Sequence, residues 1–136
     1  MQRDLIGYGL NVPSVEWPEK ARIAISVVVN YEEGSEYSLL DGDDHHETNG
    51  EVPSPIPLDQ RDVYNESFFE YGSRVGVWRL LDLLDRFQVP STFFCCALAL
   101  ERNSQAAREI VSRGHEVCGY GYRWGEYHLM DREQER

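Results

Sequence analysis

Residues 22–30 are built around Ile23-Ala24-Ile25-Ser26-Val27-Val28-Val29, a run of aliphatic residues broken by one small Ser. A run this short and this unbroken predicts a strand buried on both faces, as in a parallel sheet. From residue 34 to 66 the pattern loses any period. Pro53, Pro55, Pro57, Gly42 and Gly50 sit there among many acidic residues, which predicts a long loop of the kind that is functional or mobile. Order returns at Ser73, the expected N-cap of a helix to about Phe87, where Val77, Leu81 and Leu84, flanked by Leu80 and Phe87, form an apolar stripe. Asp82 and Arg86 stand one turn apart on its outer side. Ser91 to Leu98 predicts a second buried strand. Asn103 or Ser104 then caps a helix through Ala106, Ala107, Ile110 and Val111, ended by Gly114. His115 to Tyr120 predicts a short third strand, and the polar segment from Asp131 a possible further helix. Ahead of all this, residues 1–20 carry Gly7, Gly9, Pro13 and Pro18, and predict an irregular arm that packs through Tyr8 and Trp17.

Strands alternating with helices imply parallel βαβ units with right-handed crossovers. The expected class is α/β, with three parallel strands and crossover helices. Three strands make the N-terminal portion of a (β/α) barrel, a fold that typically runs to ~250 residues. As an open sheet they would leave bare edges. The expectation is a single partial domain over residues 1–136.

Composition narrows the partners. With 41% hydrophobic residues the chain can build a core, and its charge of −11, from 24 acidic against 13 basic residues, argues against nucleic acid or an anionic membrane. No stretch approaches the ~18 apolar residues of a membrane span. The N-terminus, Met1-Gln2-Arg3-Asp4-Leu5, has no signal-peptide apolar region, so a cytoplasmic protein is expected. Cys95, Cys96 and Cys118 lie in strand-like context and are expected to be free thiols.

Three clusters carry possible chemistry. Asn30-Tyr31-Glu32-Glu33-Gly34 follows the first apolar run. Active sites gather at the carboxyl ends of parallel strands, and adjacent carboxylates resist joint ionisation. A general base beside a second, orienting or metal-binding carboxylate fits this pattern, with Asn30 and Tyr31 as flanking substrate contacts. A solvated acidic turn fits it too. The segment Tyr120-Gly121-Tyr122-Arg123-Trp124 ends the third strand. Arg123 suits a carbonyl or carboxylate, and Tyr120, Tyr122 and Trp124 suit the wall of a pocket for a flat or sugar-like ligand; packing at the barrel mouth is the plainer alternative. Asp43-Asp44-His45-His46-Glu47 has ligand-type side chains, but adjacent histidines in a loop rarely converge on one ion. His115 and His128 stand alone. No phosphate loop or nucleophile elbow is present.

Taken together, these residues resemble the polysaccharide deacetylase superfamily, the NodB-homology fold, and within it the allantoinase-like and peptidoglycan deacetylase-like branch. The likeness runs through Arg3-Asp4-Leu5-Ile6-Gly7-Tyr8-Gly9, Trp17-Pro18, Asn30-Tyr31-Glu32-Glu33-Gly34, Glu70-Tyr71-Gly72-Ser73-Arg74 and Trp78-Arg79-Leu80. It continues through Val89-Pro90-Ser91-Thr92-Phe93-Phe94, Gly114-His115-Glu116-Val117 and Gly121-Tyr122-Arg123-Trp124, in one order over essentially the whole chain. The resemblance implies a distorted (β/α) barrel that hydrolyses non-peptide carbon–nitrogen bonds of a saccharide or small-molecule substrate. It places Glu32 at the base position and Glu33 at a metal-ligand position. The two histidines that complete the metal site in the superfamily fall on Tyr120 and Trp124 here, so no metal or other cofactor is expected. The family's later motifs, an arginine and a C-terminal histidine among them, have no counterpart before Arg136. A complementary chain or a homo-oligomer is one way to supply them. The rival expectations are an inactive half-barrel and a ureide- or sugar-binding module.

Overall fold

The computed structural model describes residues 3–48, 53–125, 127–133 and 135. Gly50 lies outside them. Three parallel strands, β1 (Val28–Tyr31), β2 (Thr92–Cys95) and β3 (Glu116–Gly119), form a sheet in the order β1-β2-β3. Between β1 and β2 run helices α1 (Val63–Tyr71) and α2 (Val77–Phe87); between β2 and β3 run α3 (Ala97–Arg102) and α4 (Ser104–Ser112). In register, Val29, Phe93 and Val117 lie side by side, as do Tyr31, Cys95 and Gly119.

The core sits on one face of this sheet. Tyr31, Phe93 and Cys95 point into it and meet Val77, Leu81 and Leu84 of α2, Cys96 and Ala99 at the start of α3, and Ala106 and Ile110 of α4. Side chains alternate along a strand, so Val28, Asn30, Thr92, Phe94, Glu116 and Cys118 fall on the other face. Val28 on that face is 49% exposed. The strands are therefore buried on one face, not two. Ile23 and Ile25 lie before β1 and are exposed.

Other element boundaries shift for local reasons. The first helix starts ten residues before Ser73, because Asp62 is a better cap: its carboxylate accepts the Asn65 N–H at 3.0 Å. Ser73 falls instead inside a wide helical turn, Gly72–Gly76, that joins α1 to α2. The second strand stops at Cys95. Cys96 remains extended and opens α3, whose Ala97 and Leu98 N–H groups donate to the Gly121 and Tyr122 carbonyls at 3.0 Å each. The acidic segment after β1 contains a short helical turn at Leu39–Asp41 and ends where α1 begins. The N-terminal arm does not bury its aromatics, Tyr8 being 74% exposed. Beyond Asp131 the described residues form turns, not a helix. All three cysteines are free, Cys95 and Cys96 buried.

Candidate active site

Where β1 ends, the chain turns sharply. Ser35 N–H donates to the Glu32 carbonyl at 2.8 Å, and Gly34 takes φ of +101°, a left-handed value that only glycine adopts cheaply. Two arginines fix this turn by its backbone. Arg102 of α3 donates to the Gly34 carbonyl at 2.6 Å and to Asp41 at 2.8 Å. Arg123 donates to the Ser35 carbonyl at 2.8 Å, to the Glu36 carbonyl, and to both carboxylate oxygens of Asp43 at 2.9 and 2.6 Å. Its guanidinium also lies over the Tyr37 ring, 4.2 Å from the centroid.

With the guanidinium groups spent on carbonyls and on Asp41 and Asp43, neither Glu32 nor Glu33 forms an ion pair among the described residues. Both carboxyl groups are consequently held above the usual glutamate value of 4.5. Burial is the main cause for each; for Glu32 the neighbouring Glu33 charge adds to it, against a hydrogen bond from Asn30. The Glu33 carboxylate recovers part of the loss by accepting the Glu32 N–H at 3.1 Å. Beneath the pair, burial pushes the Tyr31 phenol up to about 12, so it keeps its proton.

The two carboxylates line a cleft of about 500 Å³ between β1 and the helices. Val29, Asn30 and Tyr31 form one side; Asn65, Phe68, Phe69, Tyr71, Gly72, Gly76, Val77 and Leu80 form the other. The wide turn between α1 and α2 matters here. It brings Gly72 so close to the acid pair that a Cβ on it would lie 2.5 Å from Glu33 Cγ. Single wide turns of this kind often mark functional sites. An acid pair raised in this way against an apolar, aromatic wall is a stronger base toward water than an ordinary glutamate.

The residues expected from the sequence divide into two groups. Glu32, Glu33, Asn30 and Tyr31 meet in the cleft. Tyr120, Arg123 and Trp124 follow β3, two strands from β1, and do not line the cleft themselves; Arg123 reaches the acid turn through that turn's backbone carbonyls, and Trp124 reaches the cleft wall. Tyr120 packs edge-on against Phe94 and is half exposed. Trp124 donates its indole N–H to Glu47 at 2.8 Å and stacks on Phe69, a wall residue, with centroids 6.2 Å apart. Buried Glu47 in turn accepts the Thr48 N–H and, through its carbonyl, the Asn65 amide at 3.0 Å. Sequence patterning missed Asn65, Phe68 and Phe69, because the start of α1 shows no period, and it placed Glu47 in a ligand-type cluster without its link to Trp124 and Asn65. Tyr71 and Gly72 fall in a stretch already singled out by resemblance.

No three His, Cys, Asp or Glu side chains converge on a metal-sized space among the described residues. At the two positions where the resemblance expects imidazoles, an indole N–H can only donate and a phenol is a poor zinc ligand. These residues do not fit the superfamily's metal site, and no step is routed through a metal. No helix among the described residues is long and apolar enough to cross a membrane.

Comparison with known proteins bears on the family and the fold. Residues 61–136 match the polysaccharide deacetylase family model. A Schizosaccharomyces pombe protein described among the polysaccharide deacetylases is 41% identical over 139 residues, which cover 98% of this chain and 43% of that protein. The crystal structure of Puue allantoinase superposes with a TM-score of 0.86 at 49% identity, over 99% of this chain and 45% of that one. A Pseudomonas aeruginosa PAO1 structure described within the same family gives 0.85 at 48%, over 99% and 46%. The chain thus spans under half the length of these relatives, and its three-stranded sheet corresponds to part of their barrel. It belongs to the polysaccharide deacetylase family.

Proposed function

We propose that the chain carries the acid-pair part of a site that hydrolyses a non-peptide carbon–nitrogen bond, in an N-acylated sugar or a cyclic ureide. The observation that carries this reading is the placement of Glu32 and Glu33, unpaired and with raised carboxyl groups, in one cleft at the carboxyl end of β1. Glu32 takes a proton from water, and the resulting hydroxide adds to the carbonyl carbon. Glu33 orients that water, and Asn30 and Asn65 offer amide contacts to the substrate. The carbon–nitrogen bond then breaks and the nitrogen leaves with a proton. Tyr120 forms the far rim. Arg123 and Trp124 act at one remove, through the acid turn and the aromatic wall. The group that polarises the carbonyl and the donor to the leaving nitrogen belong to the remaining strands of the barrel, on this polypeptide or another. The test is turnover of an N-acetylated chito-oligosaccharide and of allantoin by the protein and by its Glu32→Gln variant, with loss in the variant expected.

A second reading rests on the uncovered face of the sheet. Val28, Thr92, Phe94 and Glu116 would line the inside of a closed barrel, and Val28 is 49% exposed there. On this reading the chain is an inactive half-barrel or a ureide- or sugar-binding module. Saturable binding of either ligand without turnover, weakened by Trp124→Ala, distinguishes it from the hydrolase.

A further inference from the structure

One buried imidazole fastens the acidic segment that follows β1 to the cleft wall. His46 is only 3% exposed. Its Nδ1 lies 2.8 Å from the Glu47 carbonyl oxygen and its Nε2 lies 3.2 Å from the Ile56 carbonyl oxygen. A carbonyl can only accept, so both bonds form only if both ring nitrogens carry protons. The neutral ring has one N–H and would set a lone pair against the other carbonyl. The same Glu47 carbonyl accepts the Asn65 amide, and Asn65 lines the cleft. The ring therefore ties together two separate stretches of the segment and, through Glu47, the first turn of α1.

The surroundings favour the charged ring. Asp62 and Glu47 act on the ring, and Glu36, Glu66, Tyr37 and Phe69 line the same small cavity. Of these acids Glu66 is paired with Arg61, and Asp62 caps the helix. Burial pulls the ring's pKa down, but the two carbonyl bonds and the Asp62 and Glu47 charges outweigh it and hold the ring above 6.5.

We propose that His46 is a proton-dependent clasp: as an imidazolium it ties the Glu47 and Ile56 backbones together beside α1, and on deprotonation it releases that tie and the Asn65 wall of the cleft. The direction follows from linkage. A histidine whose folded pKa is raised stabilises the closed segment fully below 6.5, and that stabilisation is lost as pH rises through the folded value.

The test follows the ring and the backbone in the natural protein. Assigned side-chain 15N shifts of His46 should show two protonated nitrogens at pH 6 and a midpoint above 6.5. The Glu47 amide, which donates to the Tyr37 carbonyl at 2.8 Å, should lose hydrogen-exchange protection between pH 6 and 9 after correction for the intrinsic rate. The loss is about tenfold for each unit by which the ring's pKa exceeds that of a free histidine. In His46→Asn the protection should be low and independent of pH. A ring with one protonated nitrogen at pH 6 would overturn the proposal, as would pH-independent protection in the natural protein or a pH response that survives in His46→Asn. The ring measurement decides even if that variant fails to fold.

Discussion

Gly72 and Glu33 occupy adjoining space: a Cβ on Gly72 would lie 2.5 Å from Glu33 Cγ and 2.7 Å from its Cδ. Gly72 has ordinary helical dihedrals, so the requirement is for room and not for an unusual backbone. Gly72→Ala should displace the Glu33 carboxylate from the cleft and destabilise the chain by about 1–3 kcal/mol, the usual cost of overpacking. Urea unfolding followed by Trp fluorescence checks this through a lower midpoint at unchanged slope. An unaltered midpoint would mean that the close approach does not exist.

Arg123 makes a two-pronged pair with Asp43 and donates to two backbone carbonyls while stacking on Tyr37. A lysine has one ammonium and cannot reproduce that fork. Arg123→Lys should therefore loosen the acid turn, costing about 2 kcal/mol from the lost charged hydrogen bonds. The amide of Ser35, which closes the turn onto the Glu32 carbonyl, reports it by faster hydrogen exchange. If Arg123 instead served only a substrate, that amide would stay protected.

Stability should fall as the carboxyl groups ionise. Glu32, Glu33 and Glu36 all have folded values above 4.5, chiefly through burial. A raised carboxyl stabilises the fold fully below its unfolded value, and this contribution is lost as pH rises through the folded value. Unfolding free energy should drop from pH 4 upward through that window, and Glu33→Gln should flatten the drop. A curve for Glu33→Gln that parallels the natural protein would show that Glu33 ionises normally.

The apolar runs and the helix stripe of α2 made the β-α-β order legible in the sequence, because burial leaves a periodic trace. The acid pair was legible for a different reason: two carboxylates after Val28 and Val29 stand out against a buried strand. Three things left no such trace. Asp62 hides among other acids, so α1 has no visible start and the helix expected from Ser73 corresponds to α2, with Ser73 inside the wide turn before it. The one-sided burial of the sheet depends on where the helices pack, which the run Ile23 to Val29 does not encode. Glu47 and His46 act through loop carbonyls, contacts that follow no spacing rule.

The most direct measurement of the central claim is hydrolysis by the protein and by Glu32→Gln, read as acetate released from an N-acetylated chito-oligosaccharide and as ring opening of allantoin. The account predicts turnover of one of them that falls by about 10²- to 10⁴-fold in Glu32→Gln, the range of a lost general base, with the urea midpoint of the variant no lower than that of the natural protein. Equal rates in the two proteins would contradict it, and so would the absence of turnover of both substrates when the remaining strands of the barrel are supplied.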